Sequence, residues 1–366
     1  MSPPRQVGVV GTVGVPARYG GFETLAEQLC ANIPADSVRL VVYCEKRAYA
    51  PNERDPAFKG HGRKFLPLRA NGVCSLFYDA LALLQAVFVL RARDIFVFGY
   101  SGAWLLPMLR LVRPRTRFIV NVDGMEWRRD KFSRWAKLLL KALEYCAARS
   151  ASVVIADNDA LAALFRQRYG REPVIIAYGG DHTLVGSDVT PPSGEHYLAI
   201  ARIEPENNTQ VILEGCRAAG VPLVFIGNWN ASNYGRELRV RYGATPGFQL
   251  LDPIYDQASL APWRRRSLGY IHGHSVGGTN PSLVEALFHT DQLISFDCAF
   301  NRASLADAGY YFDDASSLTA LLRQSPLVPV AADVLAKLRD HYRWRRIAAD
   351  YRALLSSVIT RANPHE

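Results

Sequence analysis

The segment His272-Gly-His-Ser-Val-Gly-Gly-Thr-Asn-Pro-Ser-Leu-Val-Glu285 has residue types and spacing suited to holding an anion. It reads as a strand end, a glycine-rich turn and a capped helix start. Asn280 suits an N-cap and Pro281 the first helical position, so backbone N–H groups near Thr279 and Ser282 and the positive helix end are aimed at Gly277 and Gly278. A diphosphate fits such a turn. Glu285, one turn further on, can accept hydrogen bonds from ribose hydroxyls, which together describe a nucleotide-sugar site. The same pattern also fits an ordinary strand-to-helix loop, since capped helices are common.

Other loops offer complementary groups. The run from Gly11 to Glu23 follows a strand, but Pro16 and the Gly20-Gly21 pair delay the helix to about Phe22, which is wrong for a dinucleotide fingerprint. It forms a long lip instead. Gly14, Gly20 and Gly21 can bring backbone N–H groups to a donor, and Arg18, Tyr19 and Glu23 are candidates for acceptor contact. Asp123 and Glu126 follow a strand directly and are acid or base candidates, with Trp127 as a sugar-stacking face and Arg128 beside it. Equally, Asp123 can cap a helix and Glu126 pair with an arginine. Arg202, after the first strand of a second series, is placed for a bidentate phosphate grip or for an ion pair with Glu204 or Glu206. Gly227, Asn228, Ile254 and Tyr255 lie in loops suited to a nucleobase. His274 can touch phosphate or fill a strand end. Asp157-Asn158-Asp159 is better explained as a helix cap than as a metal site.

These loops need a frame to hold them. β-branched apolar runs alternate with helical patterns: Val7 to Val10, Leu40 to Cys44, Ile95 to Gly99, Phe118 to Val122, Val153 to Ala156 and Val174 to Ala177. After a Pro-, Gly- and Ser-rich stretch near Leu184 to Gly194 a second series begins: Tyr197 to Ala201, Leu223 to Ile226, Phe248 to Leu251, Leu268 to His272 and Leu293 to Phe296. The expectation is two doubly wound parallel-sheet domains, 1–183 and 195–340, facing a cleft at their strand ends. A single amphipathic helix is expected over Leu335 to Ser356, with the segment 341–366 a candidate to cross back onto the first domain. The apolar run Leu76 to Leu90 is shorter than the roughly 20 residues of a membrane span and reads as a buried helix.

At 366 residues and 49% apolar content the chain can bury two cores. Six cysteines without a Cys-x-x-Cys pair indicate neither a disulfide framework nor a zinc site, and the N-terminus lacks signal-peptide features, so a cytoplasmic location is expected. The net charge of +9 is clustered around Arg110 to Arg117 and Arg128 to Lys137. No nucleic-acid motif accompanies it, which leaves solvated faces, anionic head groups or a phosphorylated substrate.

Taken together, Gly11 to Glu23, Asp123 to Trp127, Ala201 to Asn208 and Gly277 to Glu285 resemble the family 4 glycosyltransferases of the GT-B fold, in the branch of bacterial polysaccharide enzymes similar to rhamnosyltransferases. The resemblance covers nearly the whole chain. It implies an α/β GT-B architecture of two Rossmann-like domains and a retaining transferase. The donor would be a nucleoside diphosphate sugar, and neither cofactor nor metal is needed. The acceptor would be a lipid-linked glycan, reached by peripheral contact with the inner membrane. Glu285 falls on the second glutamate of the family's Glu-x7-Glu motif. Gly277 stands where the first would be, and Asn207 where a lysine usually joins the arginine, departures that suit a deoxy-sugar donor such as L-rhamnose. Three alternatives fit parts of the pattern: a sugar-nucleotide epimerase, a nicotinamide oxidoreductase using Glu45, and a non-catalytic carbohydrate-binding protein.

Overall fold

The computed structural model describes residues 4–18, 20–122, 124, 127, 132–186, 194–324 and 327–356. Its first sheet contains β1 (Arg5–Val10), β2 (Val38–Glu45), β3 (Ala57–Phe58), β4 (His61–Leu66), β5 (Asp94–Phe98), β6 (Arg117–Asn121), β7 (Val153–Ala156) and β8 (Val174–Ile175). The order is β3-β4-β2-β1-β5-β6-β7-β8, parallel except for the β3-β4 hairpin. The second sheet contains β9 (His196–Ile200), β10 (Leu223–Ile226), β11 (Phe248–Leu251), β12 (Ser267–His272), β13 (Leu293–Phe296) and β14 (Gly309–Phe312), all parallel, in the order β11-β10-β9-β12-β13-β14. Each order reverses beside its first strand, and β1 and β9 therefore end at the switch points where open sheets bind ligands.

The strands form because their residues suit burial on both faces: every residue of β5, β7 and β10 is buried, as parallel strands covered by helices require. The helices of the first half are α1 (Gly21–Asn32), α2 (Ser75–Leu84), α3 (Leu106–Val112), α4 (Arg134–Ser150) and α5 (Asp159–Tyr169). Those of the second are α6 (Thr209–Ala219), α7 (Asn233–Tyr242), α8 (Gln257–Arg265), α9 (Pro281–Ala286), α10 (Ala299–Leu305), α11 (Ala315–Arg323), α12 (Ala332–His341) and α13 (Trp344–Ser356).

Several expectations need correction. β3, β4 and β14 escaped the sequence reading. β4 is an edge-side strand interrupted by Gly62 and Arg63, and β14 is a short aromatic run at the far edge of its sheet, so neither shows a continuous apolar stretch. The apolar run near Leu76 is not buried all round. From Gly72 to Val89 it is long and apolar enough to cross a membrane by length and composition, yet 39% of it is buried. Tyr78, Ala82, Leu83, Ala86 and Val87 face the sheet, while Phe77 and Val89 are exposed.

The C-terminal helix is two helices, broken at Tyr342 and Arg343. α12 stands on the second lobe, where Arg339 Nε donates to Leu287 O at 2.8 Å. α13 lies on the first. Tyr351 is fully buried edge-on to Phe96 and Phe98, Asn121 Nδ2 donates to its hydroxyl at 2.6 Å, and Arg117 Nη2 donates to Leu354 O at 2.5 Å. The chain thus crosses between lobes twice at one place: Gly180 N donates to Tyr342 O at 2.9 Å and Trp344 N to Asp181 Oδ1 at 2.8 Å.

Candidate functional site

The strand ends of the two sheets enclose an open cleft of about 1470 Å³ lined by both lobes. Arg18, Gly20, Gly21 and Glu23 line it from the first lobe. Arg202, Asn207, Gly227, Asn228, Ile254 and Tyr255 line it from the second, together with His274, Gly277, Gly278, Thr279, Asn280, Ser282 and Glu285. Tyr19, Asp123, Glu126 and Arg128 lie outside the described residues. Two expected residues are turned elsewhere. A Cβ on Gly14 would meet Cys44 Sγ at 2.6 Å, so this glycine faces β2. Trp127 is not on the cleft wall: its indole donates to Glu144 Oε2 at 2.9 Å and lies within 4.6 Å of both Lys141 and Arg168. Two cations thus cover the indole in place of a sugar.

The first loop is shaped by two carboxylates one helical turn apart on α1. Glu23 Oε1 accepts from Val13 N at 2.8 Å, and Glu27 Oε2 from Ala17 N at 2.6 Å. Burial raises the Glu23 pKa and the Val13 hydrogen bond opposes it. Glu23 therefore holds the loop's shape at the cleft wall, and Gly20 at φ 115° is required there because a Cβ would fall 2.1 Å from Glu23 Oε2. Arg18 is engaged by Glu53 at 2.5 Å.

In the second lobe Arg202 emerges from the end of β9 with its guanidinium at the cleft, 3.7 Å from Glu204. Asn207 is not a phosphate hand in this arrangement. It is buried, its Nδ2 donates to Arg202 O at 2.7 Å, and its Oδ1 meets His274 Nδ1 at 2.5 Å. With the amide N–H spent on a carbonyl, Oδ1 is the acceptor, so His274 carries its proton on Nδ1. The asparagine is a strut between the loops after β9 and β12.

The glycine turn is gripped from the opposite lobe. Asp157 Oδ2 accepts from Thr279 N at 2.7 Å, and Asn158 Nδ2 donates to Thr279 Oγ1 at 3.1 Å. A Cβ on Gly278 would sit 2.2 Å from Asp157 Oδ1, and one on Gly124 would lie 3.0 Å from Gly277 Cα. Gly124 thus lets the lobes meet backbone to backbone, and Gly278 leaves room for the Asp157 carboxylate. The helix-start N–H groups expected to be open are partly committed: Thr279 N to Asp157, and Ser282 N to the Asn280 side chain at 3.1 Å. A carboxylate of the chain itself occupies part of the seat expected for a diphosphate. Gly277 has φ 121°, a conformation that disfavours a side chain where the related motif has its first glutamate.

Glu285 is fixed by residues that the sequence did not single out. Arg264, on α8 and buried, donates from Nη2 to Glu285 Oε2 at 2.6 Å and from Nη1 to Gln257 Oε1 at 2.7 Å. His182 Nε2 faces Glu285 Oε1 at 3.5 Å, and Trp344 Nε1 donates to His182 Nδ1 at 2.9 Å. That bond makes Nδ1 the acceptor and places the proton of the neutral ring on Nε2, toward Glu285. Burial, reinforced by Arg264 and His289, pushes the His182 pKa down to about 4, so the ring is neutral at pH 7. Burial raises the Glu285 pKa and Arg264 opposes the rise.

Comparison with other proteins places this geometry in context. A family described as a domain of unknown function, DUF1972, matches residues 4–181. No curated protein matches. Among solved structures, a sucrose-phosphate synthase from Thermosynechococcus elongatus superposes with a TM-score of 0.79 at 15% identity, covering 96% of this chain and 99% of that one. HepE of Anabaena, in complex with UDP and glucose, gives 0.70 at 14% identity, covering 97% of this chain and 100% of that one. A glycosyltransferase from Rickettsia africae gives 0.70 at 10% identity over 99% and 100% of the two chains. At these identities the likeness is one of fold: two facing parallel α/β lobes in the GT-B arrangement.

Proposed function

We propose that this chain is a metal-independent, retaining glycosyltransferase that takes a sugar from a nucleoside diphosphate donor and delivers it to a lipid-linked glycan, on the cytoplasmic side of the membrane, in bacterial surface or exopolysaccharide synthesis. The observation that carries the reading is the convergence, at the ends of β9 and β12, of Arg202, the glycine turn and the Arg264-held Glu285 on one cleft wall. A GT-B neighbour whose structure contains UDP and glucose supports a nucleotide sugar as donor.

In this reading Arg202 and the backbone dipoles of Thr279 to Ser282 stabilise charge on the departing diphosphate, with Asp157 giving way to the donor. The leaving phosphate takes the acceptor's proton on the face it vacates, which yields retention without a protein base. The chain's contribution is fixed positive charge placed where negative charge develops. Glu285 accepts from the ribose hydroxyls. A donor with fewer hydroxyls, such as L-rhamnose, suits a turn that has Gly277 and no carboxylate there. Radiolabelled transfer from a panel of nucleoside diphosphate sugars to extracted lipid-linked glycan tests the reading. Arg202→Ala should lower the rate by roughly a hundredfold or more, as expected for losing one preorganised donor. Absence of any thermal shift with nucleoside diphosphates would refute the assignment.

A further inference from the structure

Exposed apolar side chains concentrate on one face of the first lobe. Of the twenty large hydrophobic residues exposed among the described residues, eleven belong to the stretch from Val73 to Leu139. Phe77, Trp104, Met108, Leu111, Trp135 and Leu138 typify them, with Leu111 84% and Trp135 82% exposed. The elements that bear them are neighbours. Trp104 Nε1 donates to Leu76 O at 3.3 Å, joining the turn before α3 to α2, and Arg110 Nη1 donates to Ser150 O at 3.0 Å, joining α3 to the end of α4. The Arg113 guanidinium lies 5.2 Å from the Phe88 ring, closing the other end of the same face. A scatter of single exposed hydrophobics would need no explanation, but a continuous face does.

Among the described residues, the charge exposed on this face has one sign. Between residues 67 and 149 the carboxylates among the described residues are Asp79, Asp94 and Glu144, and all three are buried. Arg91, Arg93, Arg110, Arg113, Arg115 and Arg134 are exposed around the apolar residues. A second copy of this chain on the same face would set one cationic rim against another. An anionic lipid surface complements both features: indole and aliphatic groups enter the head-group boundary, and arginines stay at the phosphate level. The face also continues into the cleft, because Leu76, Ala136, Leu139 and Leu140 line it.

We infer that the face formed by α2, α3 and α4 seats the chain on an anionic membrane, with the first-lobe side of the cleft opening at the head-group level. A glycan whose lipid stays in the bilayer then reaches the cleft past Leu139 and Leu140. That last step rests on the transferase reading, whereas the docking itself does not. α2 and its continuation lie along the surface without crossing the bilayer, since their other face covers the sheet.

The test is flotation of the full chain with vesicles of phosphatidylcholine alone or mixed with phosphatidylglycerol, at low and high salt, alongside a Leu111→Glu/Trp135→Glu variant. Wild type should float with the anionic vesicles and be released by salt, and the variant should partition at least about tenfold less. Nucleoside diphosphates should shift the melting of both proteins equally, which shows that the variant is folded. Failure of the wild type to float with anionic vesicles, equal flotation of the variant, or recovery only with native membranes in a protease-sensitive manner would each overturn the docking. So would a stable dimer in light scattering that the double substitution dissolves. Vesicle binding without any nucleotide shift would leave the docking standing and sink the transferase reading instead.

Discussion

Arg264→Met separates a buried ion pair from a spectator arginine. Its side chain is 4% exposed and that of Glu285 13%, with the pair at 2.6 Å, so Arg264 has almost no water to fall back on and Glu285 only the little at the cleft wall. Removing one partner of such a pair typically costs about 3–5 kcal/mol, because the other is left buried and uncompensated. Glu285→Gln alone should cost a similar amount, since Arg264 then keeps only Gln257. The double variant, with no charge left to strand, should recover most of the loss, giving a coupling energy of at least about 2 kcal/mol in a double-mutant cycle. Urea denaturation of the four proteins measures this. Nucleoside diphosphate affinity, read by calorimetry, should not recover with stability in the double variant, because the carboxylate proposed to receive the ribose is gone. Additive single losses of under about 1 kcal/mol would show that the pair does not hold Glu285, and the account of the donor wall would have to be abandoned.

Gly278→Ala has an ordinary backbone conformation to adopt but places a methyl 2.2 Å from Asp157 Oδ1, so Asp157 must turn away and give up Thr279 N, which should loosen the contact between the lobes, visible as a larger radius of gyration in X-ray scattering. An unchanged radius would mean the clasp is absent in solution. Asp79, 4% exposed on α2 at the cleft wall, has its carboxyl pushed up to about 8 by burial. The folded chain then holds a proton that the unfolded chain releases above about pH 4, so its stability contribution is lost as pH rises toward 8, by up to roughly 1.4 kcal/mol per unit. Asp79→Asn should flatten that slope in denaturation measured across this range, and an unaltered slope would reject the assignment. Tyr351→Phe leaves buried Asn121 without its 2.6 Å partner and should cost about 1–3 kcal/mol in the same assay. A loss below half of that would indicate that α13 does not seal the first sheet.

The parts of the site legible in the sequence are those whose residue types have local meaning. Asn280 and Pro281 announce a helix start wherever they stand before an apolar run, and the central strands declare themselves as β-branched stretches. Arg264 was not legible because it sits among Arg265 and Arg266, and only the packing of α8 beside α9 turns one of the three inward. Asp157 was hidden for a related reason. It belongs to a triplet that also caps α5, where Asn158 Oδ1 accepts from Leu161 N, and its reach to Thr279 exists only once the two lobes meet. Trp127 failed in the opposite sense. An aromatic residue after a strand suits a sugar platform, but the ring's quadrupole draws Lys141 and Arg168, each 4.6 Å from its centroid, onto the indole instead.

The return of α13 sets an order of events during synthesis. The amino-terminal half leaves the ribosome first, with Phe96 and Phe98 lacking the Tyr351 ring and Asn121 its phenol, and it stays so until every strand of the other half has been made. A message cut short after Phe312 would encode all the strands described and still yield a protein whose first-made half lacks part of the cover on one face of its sheet. Such a product is a natural client for chaperones and a poor unit for domain exchange, so grafts between relatives of this architecture should carry residues 344–356 along with the half they cover, not with the half that precedes them in the chain.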